Sequence, residues 1–100
     1  MRVYFERFGG FAGVHLSTTV DSRALTHEDQ QLLAHMVAAS DFFHLPPQIK
    51  TPSPGADRFQ YEITIESENK RHSVVVDEQA IPSTLRPLIT WLTVRLFAKT

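Results

Sequence analysis

The sequence predicts an α+β domain of order ββαββα, a four-stranded antiparallel sheet with two helices packed on one face. Three observations predict it. Two pairs of runs alternate apolar and polar residues, and a turn-forming segment joins each pair, the signature of a β-hairpin. A stretch with apolar residues at helical spacing follows each hairpin. The chain has 100 residues, room for a single domain over 1–100 with one core.

The first hairpin starts at Arg2–Phe8, where Val3 and Phe5 lie on one face and Tyr4, Glu6 and Phe8 on the other. Val14, Leu16, Thr18 and Val20 then alternate against His15, Ser17 and Thr19, and Gly9-Gly10-Phe11-Ala12-Gly13 forms the loop between the two runs. Thr26-His27-Glu28-Asp29 reads as a helix start, with Thr26 accepting from first-turn amides and Asp29 reaching back, a weak capping box because Asp is one methylene shorter than Glu. Leu32, Leu33, Met36 and Val37 form the buried stripe, and the helix should end near Ser40. Phe42, Phe43 and Leu45 read as an apolar turn closing over the core. The stretch from Pro46 to Gly55 carries four of the six prolines and reads as a stiff, extended loop.

The second hairpin is the clearest. Phe59, Tyr61, Ile63 and Ile65 face one way between Arg58 and Glu66, Ser67-Glu68-Asn69-Lys70 turns the chain, and His72–Val76 returns. Leu85, Leu88, Ile89, Leu92 and Leu96 make one stripe of a last helix, which starts either at a Ser83 cap or closer to Pro87. Trp91 lies off that stripe, widening the buried face or staying partly exposed. The sheet face away from the helices would carry Tyr4, Arg58, Gln60 and Glu62, open to water or a partner.

Composition narrows the function. Hydrophobic residues make up 42% and charged residues 21% of the chain, the balance of a globular domain rather than a disordered one. A net charge of −1, with no basic cluster longer than Lys70-Arg71, argues against a nucleic-acid binder. There is no cysteine for a disulfide or a thiolate-bound metal. The opening residues read as a strand rather than a signal peptide, and no apolar run approaches the ~20 residues that cross a bilayer. The expected location is the cytoplasm.

Catalytic chemistry finds no foothold. His15, His27, His35, His44 and His72 show no i, i+4 metal pair. His35, among apolar residues of a helix, reads as structural; His15 and His72 read as strand residues at solvent or the sheet edge. Ser17, Ser53 and Ser73 lack a nucleophile's setting, and the acid pair Glu28-Asp29 suits a helix N-terminus better than acid–base work. Gly10-Phe11-Ala12-Gly13 matches the G-x-x-G string that approaches phosphates in KH domains. Here it joins strands and lacks a basic pair, so its glycines are read as supplying loop geometry. Phe11 at the loop tip either folds back onto the core or projects as an anchor for a partner.

Three strings go further: Phe5-Glu6-Arg7-Phe8-Gly9-Gly10-Phe11-Ala12-Gly13, Ala56-Asp57-Arg58-Phe59-Gln60-Tyr61 and Leu85-Arg86-Pro87-Leu88-Ile89-Thr90-Trp91-Leu92. Together, in this order and at these separations, they resemble the emfourins, small bacterial inhibitors of protealysin and related thermolysin-type zinc metallopeptidases. The resemblance spans essentially the whole chain, and His15 departs from it where a base such as arginine is expected. It implies a proteinaceous inhibitor that acts on a peptidase inside the cell, and the expectation is a non-enzymatic protein that blocks the active-site cleft, uses no cofactor or metal, and is a monomer when free. Two rigid elements could enter such a cleft, giving a partner-binding set of Gly9, Gly10, Phe11, Ala12 and Gly13 on the hairpin loop, with Pro54, Asp57 and Arg58 at the end of the proline-rich loop. The alternative is a protein-interaction module with no peptidase target.

Overall fold

Alternation in the sequence becomes a sheet whose apolar face is shared by both hairpins. The computed structural model describes residues 1–9, 13–50 and 59–98. Strands β1 (Arg2–Gly9) and β2 (Val14–Asp21) pair antiparallel, as do β4 (Phe59–Ser67) and β5 (Lys70–Asp77). Strand β1 also pairs antiparallel with β4, so the hairpins join through Val3↔Ile65 and Phe5↔Ile63. Val3, Phe5, Ile63, Ile65, Val74 and Val76 are fully buried on that face, each contributing roughly 1.5–3 kcal/mol by leaving water.

The expected four antiparallel strands are five in a mixed sheet of order β2-β1-β4-β5-β3. The added strand, β3 (Gln48–Ile49), lies in the stretch read as a loop and pairs parallel with β5 through Gln48↔Val75 and Ile49↔Val76. Its cause is the bias that makes the stretch stiff. Each proline pushes its predecessor to extended geometry, and an extended segment beside the open edge of β5 can take its unpaired groups. The Val75 N–H donates to the Pro47 carbonyl at 2.8 Å, satisfying a donor that would otherwise lie along an exposed edge.

Both helices pack into the same core. In α1 (His27–Ser40), Leu33, Met36 and Val37 are buried, and in α2 (Arg86–Ala98), Leu88, Ile89, Leu92 and Leu96, with Leu85 just ahead of it. Leu32, expected on the buried stripe, is 44% exposed, because it sits about 100° around the helix from Leu33. His35 is exposed as well, so it is a surface residue rather than a packed one. Thr26 caps α1 as expected, accepting from the Asp29 N–H at 3.1 Å. The Asp29 carboxylate does not reach back. It accepts from Arg95 at 2.8 Å, tying α1 to α2. Asp41 ends α1 in the left-handed region at φ 52, which aspartate tolerates better than most residues.

The start of α2 resolves in favour of Arg86. The Leu85 and Arg86 amides both donate to the Pro82 carbonyl, at 3.0 and 3.1 Å. Pro87 is then the second helical residue, where a missing N–H costs nothing. The apolar turn after α1 is a short 3-10 helix, Phe42–His44, with Phe42 only 1% exposed. His72 is half-buried against it rather than at solvent. Its Nε2 lies 2.8 Å from the Leu45 carbonyl and its ring 5.7 Å from that of Phe42.

Candidate functional site

The register of the sheet decides where the predicted binding residues can act. Gly9, at the end of β1, lies opposite Val14 of β2 on one side and Phe59 of β4 on the other. At the same end, Gln60 lies opposite Asp77 and Ile49 opposite Val76. The Gly9–Gly13 loop therefore leaves from β1 and β2, and the segment between Lys50 and Phe59 from β3 and β4, all at one end of the sheet. Gly13 and Lys50 are 37 positions apart in sequence, yet the two connections have neighbouring roots.

Gly9 and Gly13 are described directly. Their φ angles are 95 and 64, in the region where any side chain strains the backbone, so glycine is required at both ends of the turn. The other candidates, Gly10, Phe11, Ala12, Pro54, Asp57 and Arg58, lie outside the described residues.

Three sets of side chains hold the roots. Glu78, just past β5, clamps the first residue of β4: the Phe59 N–H donates to Glu78 Oε1 at 3.0 Å and the Glu78 N–H to the Phe59 carbonyl at 3.1 Å. Beside it, the buried Asp77 accepts from the Gln79 amide at 3.0 Å, fixing the turn out of β5. On the helix-free face, the rings of Phe8 and His15 meet edge-on at 6.5 Å, and His15 Nε2 lies 3.0 Å from Glu6. On the helix-bearing face, the Arg7 guanidinium lies 3.8 Å from the centre of the Phe59 ring, 5.4 Å from Phe97 and 5.9 Å from Tyr61.

Sequence reasoning missed Arg7, Phe97 and Glu78 as parts of this end. The signal for Arg7 was present, since it shares the face of Val3 and Phe5 and so points where an apolar residue is expected. Phe97 is 46% exposed and carried no such signal.

Elsewhere the polar groups serve one another. On the helix-free face, Tyr4, Glu6, Glu62, Thr64, Arg71 and Ser73 line an open hollow of about 480 Å³. There the Tyr4 hydroxyl donates to Glu66 at 3.1 Å, Arg71 pairs with Glu66 at 2.6 Å, and Thr64 and Ser73 share a bond of 2.7 Å. Asp21 ends β2, and hydrogen bonds from the Arg23 side chain and backbone amide hold its carboxyl well below the usual carboxylate range. Trp91 is half-buried, with the Arg95 guanidinium 4.1 Å above its ring. No group of three or more histidine or acidic side chains is placed to hold a metal ion among the described residues, and no described helix is long and apolar enough to cross a membrane.

The model of the family named Emfourin matches residues 5–93. No curated protein and no solved structure gives a significant match. The matched span runs from the middle of β1 into the second half of α2 and includes both loops and their roots. With 5–93 of a 100-residue sequence matched, the chain belongs to the emfourin family, whose members act in general as inhibitors of metallopeptidases.

Proposed function

We propose that this protein inhibits a thermolysin-type, protealysin-like zinc metallopeptidase by seating the loop end of its sheet in the active-site cleft. The observation that carries the reading is the adjacency of the two loop roots, with Gly9 directly opposite Phe59. A stable protein–protein interface buries roughly 1,600 Å² in total, several times what one hairpin loop can offer. Two loops leaving one sheet end, backed by a five-stranded sheet, place more than one segment on a single surface.

In this reading Phe11 is the apolar anchor, Arg58 supplies a charged contact and Asp57 assists it. Prolines in the second loop remove backbone donors and fix geometry, which limits cleavage and lowers the ordering cost of binding. The sheet supplies stiffness below both loops, since Glu78 and the left-handed glycines fix the points from which they leave.

Titration of a protealysin-type enzyme against a fluorogenic peptide tests the proposal. Activity should fall to near zero close to one equivalent of inhibitor. Full activity at a large molar excess sinks the reading for that enzyme.

A further inference from the structure

We infer that Arg7 is a carboxylate-binding contact at the loop end, stacked in readiness for an Asp or Glu side chain of the peptidase; the inference rests on the inhibitor reading above. Arg2, Arg23, Arg71 and Arg95 each pair with a carboxylate. Arg86 is exposed. Arg7 fits neither pattern. It is half-buried, no carboxylate pairs with it among the described residues, and its Nε is buried without a hydrogen-bond partner.

Three aromatic rings hold this cation instead, with Phe59 closest at 3.8 Å. Stacking uses the faces of the guanidinium. Its N–H donors lie in the plane; with Nε buried, those on the two terminal nitrogens are the ones left for a ligand. A planar fork held in place by rings suits a ligand with two acceptor oxygens, and among the side chains of a protein partner that is a carboxylate taken through two parallel bonds. The position is right as well, because Arg7 is two residues before Gly9 and its closest ring belongs to the first residue of β4. A partner that covers both loop roots lies within reach of it, and covering the site would strengthen the pair by excluding water.

The test compares wild type with Arg7→Met and Arg7→Lys, measuring the inhibition constant at several salt concentrations and the melting temperature of each free protein. Arg7→Met should weaken inhibition at least tenfold and flatten its salt dependence. Arg7→Lys should fall between, keeping the charge and losing the fork. A folded Arg7→Met with the inhibition constant and salt slope of wild type overturns the inference and leaves the inhibitor reading standing. Where Arg7→Met does not fold, wild type decides: association that is unchanged between about 50 and 500 mM salt overturns it, since a charged contact is screened over that range. A wild-type protein that inhibits no enzyme of the class removes the inhibitor reading itself.

Discussion

The clamp between Glu78 and Phe59 offers the sharpest check on how the fold serves binding. The Glu78 carboxylate accepts from the Phe59 N–H at 3.0 Å, and the Glu78 N–H returns a bond of 3.1 Å. Glu78→Ala deletes the first bond and leaves the second. A hydrogen bond to a charged acceptor contributes about 1.5–3 kcal/mol. This one is part-buried, so water replaces some of it and the expected loss is about 1–1.5 kcal/mol. For a domain of this length that lowers the melting temperature by about 4–12 °C.

The consequence for binding is separate, because Phe59 is the root of the second loop. With its amide released, the first residue of β4 frays and the loop must be ordered at the moment of association. Inhibition should weaken about tenfold, equivalent to about 1.4 kcal/mol. Glu78→Gln keeps an acceptor oxygen at the same reach and should recover most of both losses. Urea or thermal unfolding followed by circular dichroism gives the first quantity, and titration against the peptidase the second. An Ala variant as stable as wild type refutes the clamp. A destabilised Ala variant that inhibits as well as wild type refutes the claim that root rigidity is used in binding.

Phe11→Ala should weaken inhibition while leaving the circular dichroism spectrum and unfolding midpoint unchanged; unchanged inhibition would remove Phe11 as the anchor. Phe42→Ala should cost about 3–5 kcal/mol, since Phe42 is 1% exposed and packs edge-on against Phe43 and His72, and a loss below about 1 kcal/mol in urea unfolding would show that the turn is not part of the core. Asp21 gives a pH prediction: its folded pKa lies below the ordinary 3.8 because of Arg23. Its stabilising effect is therefore full above the ordinary 3.8, declines below it and is lost only as pH falls through the lower folded value. The stability gap between wild type and Asp21→Asn should narrow as pH drops from about 5 to 2, and a gap that stays constant over that range would show that Asp21 titrates normally.

What the sequence revealed of this fold follows from how burial is written into a chain. A face that is wholly buried leaves a period, which is why Phe5, Ile63, Ile65 and the stripe from Leu85 to Leu96 could be read directly. Strand β3 has two residues and one partly buried side chain, Ile49, too few to leave a period. Its partner is Val76, 27 positions along the chain. Asp29 looked like half of a capping box because Thr26 is local, while its true partner, Arg95, is 66 residues away. Arg7 is the same problem at the end of the sheet: alternation marks its face, but only Phe59, Tyr61 and Phe97 explain a cation there.

The candidate site shows that limit most plainly. Glycines at both ends of the hairpin loop are legible, because their positive φ leaves no other good residue. That this loop stands beside the one rooted at Phe59 is a property of strand order. With β1 next to β4, Gly9 and Phe59 are one strand spacing apart, about 4.8 Å. The same two hairpins joined through β2 and β5 would keep the same alternation and bury the same faces. Both loops would still leave from one end, but Gly9 and Phe59 would stand three spacings apart, about 14 Å. Hydrophobic patterning does not distinguish those arrangements; a single surface built from both loops requires the first.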